Sequence, residues 1–416
     1  MIGIDFGASF LTVARISPQT GMPEAVRFMS GQGPSVKLPS VLAGTDKGFV
    51  IGYEAVKVME HYASLPVNQR RQKMANVISE IRVLLTPGMK EHINGRNYTH
   101  AELLSIFFDL LLKAVKTACP QDDAIDDYVV LAHPVDIVHP KLEMMVEALH
   151  KQGVSRVKTL AEPFAAVKGY ELTHTVNEGE GLLVFHFGAV GTEVCYMKKQ
   201  EGKLHILAAP ATNAHCGGND LDYLLYEHLH NYLLKSQHQD ISADGIDLCI
   251  LQQCRKLKEM FGTCDDSVCE TDIHHAGRFR LSREAFNALV YSKIDEAINV
   301  ARIVANDVKG KKFNIDKILL VGGSSHLPLV KSHLSESFTE TPIEMCCNED
   351  TAAARGAIGQ YAVGADGPFD PHLSMICRKC QSPFCFRYKN VIPGRGFAYH
   401  CLDCGWEGSG VKVVLF

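Results

Sequence analysis

Two stretches decide the fold. Ile2-Gly3-Ile4-Asp5-Phe6-Gly7-Ala8 opens the chain, and Leu182-Leu183-Val184-Phe185-His186-Phe187-Gly188-Ala189 repeats its plan, with His186 standing 181 positions after Asp5. Each copy is a short apolar run, one polar residue, an aromatic, a glycine and a small residue. A second apolar run follows each, Phe10 to Ile16 and Val194 to Met197. The pattern reads as a hairpin with a small-residue turn, whose backbone N–H groups are placed to face a phosphate. One such hairpin is ordinary in a large α/β protein. Two related copies suggest two lobes of one plan with a cleft between their turns, which points to nucleotide binding.

Bulk properties set the bounds. The chain has 416 residues, 46% apolar and 21% charged, which suits a globular protein of two or three domains. A net charge of −5 signals no nucleic-acid or membrane partner for the whole chain. The charge is uneven: six Lys/Arg against two Asp/Glu from Met375 to Phe416 leave that tail at +4 and the rest at −9. No basic n-region or cleavage pattern opens the chain, so no signal peptide is expected. The most apolar helix candidate, Ala101 to Val115, is interrupted by Glu102, Asp109 and Lys113 and is too short to span a bilayer. Fourteen cysteines without an export signal read as thiols or metal ligands, and the cytoplasm is the expected compartment.

Along the chain, strands alternate with helices. Helical patterns are expected at Glu54–Tyr62, Gln69–Leu85, Lys141–Lys151 and Glu162–Glu171, with strands at Tyr128–Ala132 and Val157–Leu160. Thr99, three residues before Glu102, forms a capping-box pattern that predicts a helix over Ala101–Ala118. The second half has helices at Leu221–Leu234, Ile246–Phe261 and Arg283–Val308, and a buried strand Ile318–Val321 before Gly322-Gly323-Ser324-Ser325. A last helix is expected over Asp350–Val363. Gly364 to Pro371 is rich in Gly, Pro and Asp and reads as a linker.

In order, these turns resemble the nucleotide-binding domain of the seventy-kilodalton heat-shock (DnaK-type) chaperones, in the actin and hexokinase superfamily. Gly3-Ile4-Asp5-Phe6-Gly7 is similar to the first phosphate loop, and Asn94–Thr99 with Glu102-Leu103-Leu104 to the family's strand-to-helix passage. Ala161-Glu162-Pro163-Phe164-Ala165-Ala166 resembles the first connecting motif, and Gly217-Gly218-Asn219-Asp220-Leu221-Asp222 the loop that nears the phosphates from the second lobe. Leu320–Ser325 with Pro328 resembles the adenosine motif, and Asn348-Glu349-Asp350 with Ala352-Ala353 and Gly356-Ala357 the closing helix.

The resemblance implies a two-lobed actin-like ATPase fold of duplicated ribonuclease-H-like lobes, with lobe I over 1–172 and lobe II over 173–363. It implies ATP or ADP held by Gly7, Ala8, Ser9, Gly188, Gly217, Gly218, Gly322, Gly323, Ser324 and Asp350. Asp5 would hold Mg²⁺ through its waters, since that ion favours oxygen and keeps its hydration shell. Glu162 either orients an attacking water or is an acidic residue placed on a helix dipole. Lys258 reaches adenine or ribose, or is a solvated helix charge.

The departures bear on turnover. The family has a carboxylate where His186 stands and glycines where Ala189 and Val190 stand. Ala8-Ser9 replaces two threonines. A catalytic lysine belongs near Glu80-Ile81-Arg82, where Ile81 or Arg82 falls. Only 53 residues follow Val363, so a peptide-binding domain is not expected.

The tail carries Cys377-Arg378-Lys379-Cys380 and Cys401-Leu402-Asp403-Cys404, with twenty residues between the pairs. Two such knuckles donate four thiolates to a tetrahedral ion, so 364–374 is read as linker and 375–416 as a structural zinc ribbon. Cys385 and His400 are spare ligands. Phe384, Phe386, Tyr388, Phe397, Tyr399 and Trp406, interleaved with Arg387, Lys389 and Arg395, read as the ribbon's own core and rim, with a nucleic-acid surface as the alternative. Cys264, Cys269, Cys346 and Cys347 have no partner at ligand spacing and read as incidental thiols.

The expected function is a nucleotide-dependent conformational switch or scaffold for a protein partner, with weak or absent ATP hydrolysis and His186 as a doubtful catalytic residue. The alternatives are a chaperone-type ATPase working with a separate substrate-binding protein, and an actin-like filament former.

Overall fold

The computed structural model describes residues 1–359 apart from 121–127, 243–244, 274–275 and 347–350, and beyond them the backbone of 375–376, 385–392, 396–401, 407–409 and 412–413. Each lobe is built on one sheet, and the two sheets share a plan. In lobe I, Ile2–Asp5 pairs antiparallel with Phe10–Ile16 and parallel with Tyr128–His133, which pairs parallel with Arg156–Ala161. In lobe II, Gly181–Phe187 pairs antiparallel with Thr192–Gln200 and parallel with Lys317–Val321, which pairs parallel with Ile343–Met345. The duplication read from the two hairpins thus extends to strand order and direction, and Asp5 and His186 occupy corresponding strands.

Among the described residues, three large apolar cores follow from this layout, with two small clusters beside them. One lies in lobe I around Ile4, Leu104 and Phe107, and one in lobe II around Phe185, Phe261 and Ile294. The third joins the lobes: Ala14, Val130 and Ala132 of the first sheet share it with Leu182, Val184 and Leu319 of the second. Helices Glu162–Glu171 and Ala352–Ala357 run through this third core. They cross so closely that a β-carbon on Gly356 would meet the Ala165 carbonyl, and one on Gly169 would meet that of Ala352. Alanine at 165, 166, 353, 354 and 357 keeps the rest of the crossing thin.

Several expected elements are present with shifted ends. Helix His100–Ala118 begins at the expected capping box: Thr99 Oγ1 accepts from the Glu102 N–H at 3.2 Å, and Glu102 accepts from the Thr99 N–H at 2.7 Å. Those bonds hold the Glu102 carboxyl below the usual carboxylate range. The lobe II helix expected from Leu221 starts at Gly218, and the long helix covers Arg283–Gly310.

The single helix expected over Gln69–Leu85 is a correction. Helix Val67–Met74 ends, Val77–Ile78 becomes a strand, and Ile81–Leu84 forms one 3₁₀ turn. Tertiary pairing overrides helical periodicity here. Val77 and Ile78 pair with Ala43 and Leu42, and Asn76 clamps the break by accepting from the N–H of Gly44 at 2.8 Å and that of Asn94 at 2.7 Å. The hairpin Val268–Ile273 with Gly277–Ser282 was not expected from the sequence.

Of the helix expected over Asp350–Val363, the described part is Ala352–Ala357, and Asn348, Glu349 and Asp350 lie outside the described residues. Cys377, Cys380 and Cys404 lie outside them too, while Cys401 ends strand Gly396–Cys401 and pairs in register with Cys385. Among the described residues no helix is long and apolar enough to cross a membrane.

Candidate functional site

The sheet plan brings the ends of corresponding strands to one cleft. Glu162, at the first turn of its helix, enters from lobe I, and His186 and Glu193 enter from the lobe II hairpin, where they sit opposite each other in register. One ligand atom from each of the three lies within 4.8 Å of the others. His186 Nδ1 is 3.4 Å from Glu162 Oε2, while the buried Glu162 Oε1 has no hydrogen-bond partner among the described residues.

Glu193 is buried and accepts from the Val135 N–H of lobe I at 3.1 Å. Burial first, and then the negative charges of Glu162 and Asp136, push its carboxyl well above the usual range. Burial likewise drives the His133 imidazole down. Arg82 exerts its positive charge on both Glu193 and His133, whereas Ile81 is fully buried in the lobe I core. Of the two residues near the family's lysine position, Arg82 is therefore the one that acts on the cleft.

A second polar group ties the lobes together beside the first. Asn219 accepts from Ser9 Oγ of lobe I at 3.3 Å and from Arg255 Nη2 at 3.0 Å, and its amide donates to Glu80 of lobe I. Burial raises the Glu80 carboxyl, and Arg255 pulls it back down. Asp222, with no solvent exposure, is gripped by Arg255 Nε at 2.9 Å and Lys258 Nζ at 2.6 Å. Lys258 also donates to the Gly218 carbonyl at 2.7 Å. It is a buried, paired cation and not a solvated helix charge. Next to this group a cavity of about 340 Å³ is lined by Ser79, Glu80, Val83, Tyr223, Gln252 and Arg255.

The glycine turns are occupied by the protein itself. The N–H groups of Gly218 and Asn219 donate to the carbonyls of Gly188 and Ala189 at 2.9 and 2.7 Å, and that of Gly188 donates to Gly191 at 2.9 Å. The Gly217 N–H donates to Asp220 Oδ2 at 2.7 Å. These amides, expected to face a phosphate, close the loop on the helix instead. The glycines are needed for that closure: a β-carbon on Gly217 would strike Ala189 and Val190, and one on Gly218 would strike Ser324 Oγ. Gly322, at φ +88°, lies against the His186 ring and the Phe187 carbonyl, where a side chain has neither the conformation nor the room. Ser324 Oγ donates to the Gly188 carbonyl at 3.1 Å.

The structure thus joins Glu162, His186, Gly188, Gly217, Gly218, Lys258, Gly322 and Ser324 by direct contacts, with Ser9 tied to the same group through Asn219. Glu193, Glu80 and Arg255 were missed as site residues, whereas Arg82 was one of the two candidates at the family's lysine position. Hairpin register from the Phe187–Thr192 turn would have placed Glu193 opposite His186. As a donor set, one imidazole with two carboxylates does not fit hydrated Mg²⁺, a hard ion that prefers an all-oxygen, octahedral surround.

Comparison with known proteins follows the same lines. The family described as "Hsp70 protein" matches residues 1–367. A ribosome-associated molecular chaperone of Zygosaccharomyces rouxii is 30% identical over 216 residues, 51% of this chain and 35% of the relative. The chaperone protein HscA of Buchnera aphidicola is 24% identical over 370 residues, 86% of this chain and 69% of the relative. The chaperone protein DnaK of Thermotoga petrophila is 26% identical over 381 residues, 88% of this chain and 60% of the relative. The chain therefore spans about a third to two thirds of the length of the curated relatives it matches.

The electrostatics of Glu193 yield a signed expectation. Its folded-state carboxyl holds a proton more tightly than the unfolded chain's, near ~4.3, so it stabilises the fold in acid and that stability is lost as pH rises. Glu193→Gln keeps an acceptor for Val135 and removes the charge. It should raise the melting temperature at neutral pH, with the gain vanishing below the ordinary glutamate range. A pH-independent difference, or a loss at neutral pH, would contradict the assignment.

Proposed function

The chain belongs to the Hsp70 family, and from that premise we propose that it is an ATP- or ADP-binding conformational switch or scaffold for a protein partner, with hydrolysis slow or absent. The observation that carries the reading is the cross-lobe cluster of Glu162, His186 and Glu193, because a ligand seated there touches both lobes at once. Phosphates would lie between the turns at Gly7-Ala8-Ser9 and Gly188-Ala189-Val190. Adenosine would lie near Lys258, Gly322, Gly323, Ser324 and Asp350.

Slow turnover rests on three residues. Phosphoryl transfer needs positioning and neutralisation of developing charge, with little covalent work for the protein. His186 replaces a carboxylate that would help hold a hydrated metal ion. An imidazole beside a polyphosphate gains a proton, with Glu162 3.4 Å away to stabilise it, and then grips the terminal phosphate in place. Ala189 and Val190 add β-carbons where close phosphate approach favours glycine. The retained Asp5 and Glu162 support the rival reading, a working ATPase that acts with a separate substrate-binding protein.

For the tail, the spacing of Cys377, Cys380, Cys401 and Cys404 supports a structural Zn²⁺. Metal analysis of protein purified without chelator should return one zinc per chain, lost in Cys377→Ser/Cys401→Ser. Zinc-free protein would end that assignment.

A ligand that binds only the folded state raises its stability by mass action. Millimolar ATP should therefore raise the melting temperature, and Gly323→Asp should abolish the rise. No shift in the parent, with calorimetry also blank, would refute a nucleotide site.

A further inference from the structure

Cys264 and Cys269 bracket the turn between helix Leu248–Thr263 and strand Val268–Ile273, and their Sγ atoms lie 3.5 Å apart. A disulfide bond needs about 2.05 Å, so the sulfurs must close by only about 1.5 Å, within reach of side-chain rotation. The turn between them is already fixed. The Arg283 guanidinium donates to the carbonyls of Phe261 at 2.9 Å, Cys264 at 2.5 Å and Asp266 at 3.1 Å. The Arg283 backbone N–H donates to Ser267 at 2.7 Å, and the guanidinium lies over the Phe261 ring at 5.4 Å. Closing the bond therefore costs little further ordering of the chain.

Access differs between the two thiols. Cys264 is partly exposed, and Cys269 is buried behind it. Burial and the neighbouring Cys264 push the Cys269 thiol up to about 11, which keeps it protonated until its partner reacts. Cys119, Cys195, Cys216, Cys249, Cys254 and Cys346 are buried, and burial pushes the thiols of Cys249 and Cys254 up to about 12. Among the eight cysteines whose side chains are described, Cys264 is thus the one a small oxidant can reach.

We infer that Cys264 and Cys269 are a reversible redox pair that closes to a disulfide in the presence of a hydroperoxide. The Cys264 thiolate attacks a peroxide oxygen, the O–O bond breaks, and Cys264 becomes a sulfenic acid as hydroxide leaves. The Cys269 sulfur then displaces that hydroxyl group, losing its own proton, and the S–S bond forms as water departs. Two thiols and one hydrogen peroxide yield one disulfide and two waters. Two molecules of a small thiol such as glutathione return the two electrons and restore the pair. The bond would staple the last turn of the helix that carries Arg255 and Lys258 to the adjoining hairpin. The inference stands whether or not the cleft takes a nucleotide.

The test uses the full chain, treated with hydrogen peroxide, alkylated, digested and mapped by mass spectrometry. The expected result is a linked Cys264–Cys269 peptide, reversed by glutathione, with Cys249 and Cys254 still thiols. Cys264→Ser should leave Cys269 unoxidised. Arg283→Lys, which loosens the turn, should slow bond formation several-fold at the same oxidant concentration. If either variant fails to fold, mapping of the parent decides alone. Recovery of Cys264 and Cys269 as separate alkylated thiols while other cysteines oxidise, or a preferred bond from Cys264 to a third cysteine, would overturn the inference.

Discussion

Two helices crossing without room for a β-carbon set the geometry of everything else. Because Gly169 and Gly356 let Glu162–Glu171 and Ala352–Ala357 meet backbone to backbone, the two sheets approach across a thin alanine layer. That approach carries Glu162 from one lobe to His186 and Glu193 of the other. A bulkier residue in the layer would part the lobes, and the cleft would lose its shared chemistry before either lobe lost its own core. Burial between the lobes then dictates the electrostatics. Burial and the nearby negative charge of Glu162 account for the displaced Glu193 carboxyl, and the His186 ring lies 3.4 Å from Glu162.

The cleft also carries its own internal ties. Asp222 is neutralised by Arg255 and Lys258, and Asn219 links Arg255 to Ser9 and Glu80 across the lobes. Removing one member of such a group leaves a buried charge unpaired, which typically costs ~3–5 kcal/mol. Together with the glycine-turn amides committed to loop carbonyls, these ties hold the lobes together through the protein's own side chains. A ligand entering this cleft competes with that arrangement, so its binding and the relative position of the lobes are coupled. This coupling is the physical content of the switch proposed above.

How much of this was legible in the sequence depends on range. Asp5 and His186 announced the duplication because each sits in a local run of apolar residues with a turn after it, and the same strand order appears in both sheets. The Thr99 to Glu102 cap was legible for the same reason. The break at Asn76 was not, since Val77 and Ile78 leave the helical pattern only to pair with a strand thirty-odd positions earlier. Glu193 required hairpin register, and Arg82 required the position of the 3₁₀ turn. Asn219 with Glu80, and Cys264 with Cys269, depend on side chains brought together by the tertiary fold. The zinc ligands are read from spacing alone, since three of the four cysteines lie outside the described residues.

The central proposal is that the cleft holds a nucleotide with slow or absent turnover, because His186 stands where the family has a carboxylate. Single-turnover hydrolysis of pre-bound ATP tests it most directly, measured in the parent, in Glu162→Ala and in His186→Asp. The account predicts that the parent and Glu162→Ala retain intact ATP alike, and that His186→Asp speeds its loss. Rapid hydrolysis in the parent that disappears in Glu162→Ala would contradict it, and would make this cleft a working ATPase.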